Sequence, residues 1–290
     1  MGGFLHRHKG LTPYLLLAPG MLWLTLFFLV PMGFLGYQSL QSGLFPHFHF
    51  TWEWSNYSHV LRSNHDGGYR DQYLRSFLYA GIATLACLVL AYPLAYWIAF
   101  RAGPWRNLFL LFIIAPFFVT YLVRTLAWLN ILADQGPVVR ILRDIHVLGP
   151  NGRLLATTFA VIAGITYNFF PFMALPLYVS LEQIDPRLLE AAGDLYGSST
   201  QAFLRVTVPL SAPGIVAGTL LTFIPAAGDF INAALLGTPN QAMIGNVIQS
   251  RFLESLDYPT AASLSFILMA TILIILLVYA WIVGTEKLTG

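Results

Sequence analysis

Glu190-Ala-Ala-Gly-Asp-Leu-Tyr-Gly-Ser-Ser-Thr-Gln-Ala-Phe-Leu-Arg-Val-Thr-Val-Pro209 is the longest charge-bearing amphipathic stretch between two apolar runs of this chain. Its neighbours, 154–181 and 211–236, are each long enough to cross a bilayer, which takes about 20 apolar residues. A polar segment held between two such runs belongs at a membrane surface, where it can meet a soluble partner. Working outward, four more runs have the same character: 12–40, 76–100, 107–133 and 260–284. Backbone in lipid must satisfy its own hydrogen bonds, so all six segments are expected to be helices. A barrel would show short alternating segments instead. The chain reads as an all-α polytopic membrane protein, a single domain over 1–290 with six transmembrane helices.

Composition agrees. Of 290 residues, 57% are hydrophobic and 10% charged, against about 25% charged in soluble domains. A net charge of +2 gives no footing for nucleic acid. The single cysteine, Cys87, excludes a disulfide framework and a cysteine metal cluster. A phosphate-binding loop needs Gly-Lys followed by Ser or Thr. The two lysines, Lys9 and Lys287, precede Gly10 and Leu288, so ATP is not hydrolysed here by that route.

His6, Arg7, His8 and Lys9 precede the first run as in a secretion signal. That run is about twice the 7–15 residues of a signal core, so an uncleaved helix is expected. Pro93, Pro116, Pro171, Pro176, Pro213 and Pro225 lie within spans. They either kink helices whose neighbours repair the lost bonds or break helices around a pathway. Six spans place both termini on one side. Arg7, Lys9, Arg101, Arg106, Arg187, Arg205 and Lys287 fall on that side, and Arg62, Arg70, Arg75, Arg140, Arg143, Arg153 and Arg251 on the other. The counts tie, so the positive-inside rule is silent. Arg101 and Arg106, flanking a very short loop, lean toward cytoplasmic termini.

Within the quoted segment and its lead-in, Asp185-Pro186 reads as an N-cap followed by proline at the first helical position. Leu188, Ala191, Ala192 and Leu195 recur at helical spacing, with Arg187, Glu190 and Asp194 opposite. Gly197 can break this helix. Ser198 and Gln201 form a capping-box pattern for a second short helix, with Ala202, Phe203 and Val206 on its apolar side and Pro209 at its end. The segment is therefore a helical hairpin with a small-residue face. It either packs on its own bundle or docks a partner.

These residues resemble a known motif. Glu190-Ala191-Ala192, then Leu195, Gly197, Phe203, Val206 and Pro209, look like the cytoplasmic coupling loop of permease subunits of bacterial binding-protein-dependent ABC importers. The resemblance implies a type I importer (MetI-like) permease fold. The loop would fit a groove on an ATPase subunit and transmit its closure through Glu190, Ala191, Ala192, Asp194, Leu195, Gly197, Phe203 and Pro209. It also implies the partners: a second homologous permease, two ATP-binding subunits, an external substrate-binding protein and membrane lipid. The chain itself would bind no cofactor, ATP and magnesium belonging to the partner ATPase. The implied location is the bacterial inner membrane, with both termini cytoplasmic. Two departures stand out. Tyr196 occupies the family's usual glycine position, with Gly197 one step later, and Val208 replaces the commoner leucine before Pro209.

Pro116-Phe-Phe-Val-Thr-Tyr-Leu-Val-Arg-Thr-Leu-Ala-Trp128 is similar to the third span of spermidine/putrescine permeases. Gly228-Asp-Phe-Ile-Asn-Ala-Ala-Leu-Leu-Gly237 and Met243-Ile-Gly-Asn-Val-Ile-Gln249 are similar to their fifth span and outer loop. A polyamine is the substrate this resemblance implies; relatives of the same pattern carry ferric iron, phosphonates or thiamine. Asp229 interrupts an apolar run, where a charge costs about 2.5–3.5 kcal/mol on insertion scales, so it should face the bundle interior. A carboxylate there suits a cation. Tyr121, Trp128 and Tyr167 could add cation–π faces, and Asn130, Asn168 and Asn232 are polar groups near the same depth. Arg124 is the other intramembrane charge. It either pairs with Asp229 and locks the third span to the fifth, or lines the path unpaired and favours an anion.

Two other classes compete. A stand-alone secondary transporter would need its own coupling carboxylates and inverted repeats, and only Asp229 lies well inside a span. An intramembrane enzyme would need a nucleophile–base pair or a metal cluster, and no histidine lies in a span. His47 and His49, with His59 and His65, read as solvated outer-loop residues. Trp52 and Trp54 read as interface anchors or a docking surface for a binding protein.

Overall fold

The computed structural model describes residues 12–58, 62, 67–196 and 198–283. Helix α1 (Thr12–Leu24) passes through a π-helical turn (Thr25–Leu29) into α2 (Val30–Ser39). A two-residue antiparallel ladder, β1 (Gln41–Ser42) with β2 (His49–Phe50), and the short α3 (Ser55–Ser58) follow. Then come α4 (Arg70–Phe100), α5 (Arg106–Ile114), α6 (Tyr121–Leu132), α7 (Pro137–Asp144) and α8 (Thr158–Glu182). The remainder is α9 (Pro186–Tyr196), α10 (Ser199–Ala202), α11 (Val208–Leu210), α12 (Ala212–Ala227), α13 (Ile231–Leu236), α14 (Ile244–Gln249) and α15 (Tyr258–Val283).

Among the described residues, four helices are long and apolar enough to cross a membrane: Leu16–Ser39, Arg70–Phe100, Thr158–Glu182 and Tyr258–Tyr279. Two bent pairs raise the number to six if each counts as one span. Six spans are thus consistent with the structure, but the third and fifth are not the continuous helices that hydropathy suggests. In the third, Gly103–Phe118 and Tyr121–Asp144 meet at 97°. Pro116 sits in a 3-10 turn, and Val119 and Thr120 are extended. A proline without an N–H cannot sustain the ladder there. The fifth bends by 62° between Ser199–Leu210 and Ala212–Ala227. It breaks again at 228–230, before α13.

The interior is built by close approach. Ala80, Ala83, Cys87, Ala91 and Ala95 are fully buried at helical spacing on α4, and α8 packs along this stripe. The Cys87 thiol donates to the Thr166 carbonyl oxygen at 3.3 Å. Glycine does the same job on α12. A Cβ at Gly218 would stand 2.7 Å from the Met173 sulfur, and one at Gly214 2.6 Å from the Pro176 carbonyl oxygen. Small residues at helix contacts are how membrane bundles gain packing without a water-driven hydrophobic effect. By contrast, no residue in the apolar window of Leu16–Ser39 is buried within the chain.

Helix α4, with 31 residues, is about 46 Å long at 1.5 Å per residue. It exceeds the ~30 Å hydrocarbon layer and begins at Arg70, ahead of the expected start at residue 76. Its far end, α5 and the end of α8 share one face of the bundle, joined by the Arg106–Glu182 ion pair at 2.5 Å. The 190–209 segment lies at that face. The opposite face carries 41–58 and the turns before α8 and α14. Asn56 donates there to the carbonyls of Ser39 and Gln41 at 3.0 and 2.9 Å. Trp52 and Trp54 are exposed there.

Candidate functional site

Two regions stand apart from ordinary packing. The first is the hairpin between the fourth and fifth spans. Asp185 caps α9 as its sequence suggests, its Oδ1 accepting the Arg187 N–H at 2.9 Å. The helix runs to Tyr196; Gly197 lies outside the described residues. The packed face differs from the expected stripe. Ala192 is buried and Leu189 packs on the core beside it. Leu188, Ala191 and Leu195 instead point outward, with Leu195 80% exposed. Glu190 and Asp194 are exposed too. The hairpin therefore anchors through one row and leaves an apolar row, flanked by carboxylates, in the open.

Its second half departs further from expectation. Ser198 has the extended backbone of an N-cap but makes no side-chain cap bond, so the Ser198–Gln201 box does not form. Pro209 does not end the helix. It sits inside α11, and the end comes at the Ser211 bend. A π-helical turn over Phe203–Thr207 precedes it. The proline ring crowds the carbonyl four residues earlier, and widening the turn relieves that clash. Phe203 turns inward and packs edge-on against Tyr92 and Tyr96 of α4, at 5.6 and 5.7 Å between centroids. The Tyr92 hydroxyl and Ser211 Oγ lie 2.8 Å apart. Phe203 thus ties the hairpin to the bundle rather than contributing to its outer surface.

The second region is a buried polar network where the third, fourth and fifth spans meet. The break at 228–230 places Asp229, 6% exposed, just before α13. Its Oδ1 accepts the Asn232 backbone N–H at 2.9 Å. Its Oδ2 accepts from Asn232 Nδ2 at 3.1 Å and from the Tyr121 hydroxyl. Asn232 Nδ2 also donates to the Tyr121 oxygen at 2.6 Å. Asn232 Oδ1 receives Asn168 Nδ2 at 3.3 Å, and Asn168 Nδ2 also reaches Thr125 Oγ1 at 3.1 Å. Gly164 on α8 makes room for this, since a Cβ there would come within 2.5 Å of Asn232 Oδ1. Thr125 is a member that the sequence reading missed; its position one turn after Tyr121 was the available signal.

Arg124 does not pair with Asp229. It is 7% exposed, and among the described residues no carboxylate forms an ion pair with it. Its guanidinium carbon lies 5.3 Å from the Phe117 ring centroid and 5.6 Å from that of Tyr121. Nε and Nη1 have no hydrogen-bond partner. The arginine thus reaches back across the 97° bend onto an aromatic pair. Of the suggested path residues, Tyr121, Asp229 and Asn232 come together, with Arg124 against the Tyr121 ring. Trp128 and Tyr167 do not join them. They meet edge-to-face at 5.5 Å in a separate apolar groove of about 400 Å3 with Leu90, Phe159 and Phe170. Asn130 is exposed and turns back to the Leu126 carbonyl at 3.2 Å.

Known proteins resemble this chain over most of its length. Residues 65–285 match the family model of binding-protein-dependent transport system inner membrane components. The spermidine/putrescine transport system permease protein PotB of Escherichia coli (strain K12) is 41% identical over 224 residues, spanning 77% of this chain and 80% of that protein. PotB of Haemophilus influenzae is 41% identical over 202 residues, 70% of each chain. The inner membrane ABC transporter permease protein YdcU of Escherichia coli (strain K12) is 29% identical over 295 residues, 95% of this chain and 90% of that one. Among solved structures, a chain of a bacterial alginate ABC transporter, in complex with alginate pentasaccharide-bound periplasmic protein, superposes with a TM-score of 0.75. It covers 99% of this chain and 98% of its own at 18% identity, a likeness of fold.

Proposed function

The chain belongs to the family of binding-protein-dependent transport system inner membrane components, and we propose that it is a permease subunit of an ATP-driven importer of spermidine and putrescine. The observation that carries this reading is the 41% identity to PotB over 77% of the chain. In this proposal the subunit supplies half of a translocation path. A second homologous permease supplies the other half, two ATP-binding subunits drive the cycle, and an external binding protein delivers substrate. Both termini lie in the cytoplasm, and the chain binds no cofactor of its own.

The geometry supports a division of labour. The exposed row of Leu188, Ala191 and Leu195, flanked by Glu190 and Asp194, offers the ATPase a mixed apolar and acidic contact. Phe203 holds the hairpin to α4 while Pro209 and Ser211 form its joint with α12. At the far end of α12, Asp229, Tyr121 and Asn232 form the polar point of the path.

The test is reconstitution with candidate ATP-binding subunits, the partner permease and the binding protein. ATP-dependent spermidine uptake is expected, and Glu190→Lys should abolish it while leaving membrane insertion intact. Full uptake by this chain alone, without an ATPase, would falsify the proposal. Arg124, without an ion-pair partner among the described residues, favours an anion, and phosphonate uptake by the same complex in place of spermidine would establish that second reading.

A further inference from the structure

Arg124 poses a physical problem. A charge at membrane depth is tolerated when it pairs with an opposite charge or serves a pathway. Arg124 is buried with Nε and Nη1 unpartnered, and its guanidinium is held over the rings of Phe117 and Tyr121. The same Tyr121 donates its hydroxyl to Asp229. The two intramembrane charges therefore share one tyrosine yet are kept out of contact. Both oxygens of Asp229 accept from Tyr121 and Asn232, and no ion pair joins the carboxylate to Arg124.

We infer that Arg124 sets the charge selectivity of the path at Asp229: its fixed guanidinium offsets the carboxylate's pull on small monovalent cations and reserves the site for an extended substrate bearing two or more separated amines. A lone carboxylate in a dry path would hold any cation. With a fixed positive charge nearby, a single sodium or potassium ion gains little from entering. A polyamine keeps one amine at Asp229 and gains attachment elsewhere along its length. Fixed arginines exclude small cations from other pores by the same electrostatics. The inference rests on the proposal that Asp229 lies on the translocation path.

The experiment uses the full importer in proteoliposomes, measuring spermidine uptake at increasing NaCl and KCl. Arg124→Gln is expected to lower KM for spermidine roughly tenfold, the effect of removing a like charge about 10 Å away at an effective dielectric near 20. It should also make uptake more sensitive to both salts. A merely structural role predicts the opposite, a raised KM or lost activity. Arg124→Lys keeps the charge and should retain the wild-type KM and salt response; a fall in its KM overturns the inference, even where Arg124→Gln fails to assemble. Asp229→Asn separates the two levels. If it raises KM for spermidine in a complex that still assembles while Arg124→Gln leaves KM unchanged or raised, the selectivity role is wrong and the path stands. If Asp229→Asn transports normally, both are wrong.

Discussion

Asn232→Ala is the substitution that most directly probes the buried network. The Asn232 carboxamide donates to Tyr121 at 2.6 Å and Asp229 at 3.1 Å, and accepts from Asn168 at 3.3 Å. Alanine removes these, and the weak 3.5 Å contact from Thr125 Oγ1, at a position that is 0% exposed. Bonds between helices in membrane proteins average about 0.6 kcal/mol, and a bond to a charged group is worth about 1.5–3 kcal/mol. The longer contacts to Asn168 and Thr125 add least. The expected loss is about 3 kcal/mol, before any cavity term. Asn130→Ala is the matched control, because its exposed carboxamide returns only to its own helix, and its expected loss is below about 0.5 kcal/mol. Denaturation midpoints of the detergent-purified complex, read for both variants beside wild type, give the comparison. Tyr121→Phe in the Asn232→Ala background should cost less than in wild type, since the two side chains belong to one network. Equal midpoints for Asn232→Ala and Asn130→Ala would refute the assignment of the network as a stabilising joint.

Three further outcomes follow from the packing. Leu195→Asp, at an 80% exposed site, should leave the fold within about 0.5 kcal/mol yet abolish co-purification with the ATPase; retained coupled uptake would count against the exposed row as the docking face. Gly218→Leu drives a side chain into Met173, whose sulfur a Cβ would already meet at 2.7 Å. It should cost about 1–3 kcal/mol or more and reduce the yield of folded protein, whereas Gly81→Leu, with nothing within 4 Å of the added Cβ, should not. Arg106→Ala breaks an ion pair whose side chains are 44% and 38% exposed. The expected change in midpoint corresponds to about 0–1 kcal/mol and should fade at high salt.

Hydropathy marked six long apolar runs because it measures what lipid selects, apolar content over a sufficient length. It could not see the breaks in the third and fifth, because Phe118, Val119 and Phe230 are as apolar as their helical neighbours. Pro116 and Gly228 marked the places without saying whether the helix would kink or stop. Asp229 was legible as an isolated acid, Asn168 and Asn232 as polar groups at its depth, and Tyr121 as a cation–π face. Trp128 and Tyr167 were grouped with them by residue type, and the structure separates them by azimuth. Tyr167 is adjacent to Asn168 but points away from it into the apolar groove. On the hairpin, spacing identified an amphipathic helix but not which apolar row faces the bundle. Leu189 and Ala192 take that place, leaving Leu188 and Leu195 outside.

The two regions are the two ends of one rod. Helix α12 has 16 residues, about 24 Å at 1.5 Å per residue, and its core-facing side clasps α8 through Gly214 and Gly218. The 62° bend lies at one end, where Ser211 meets Tyr92. At the other end the Asp229 N–H still bonds to the Ala226 carbonyl at 3.2 Å, and its carboxylate holds the first turn of α13. A packed helix resists bending far more than the non-helical residues at its ends. If an ATPase displaces the hairpin, the strain is therefore taken up at 211 and 228–230 rather than along the rod. In the proposed cycle, the position of the second joint would decide whether Asp229 keeps Tyr121 and Asn232 or gives them up to an incoming amine.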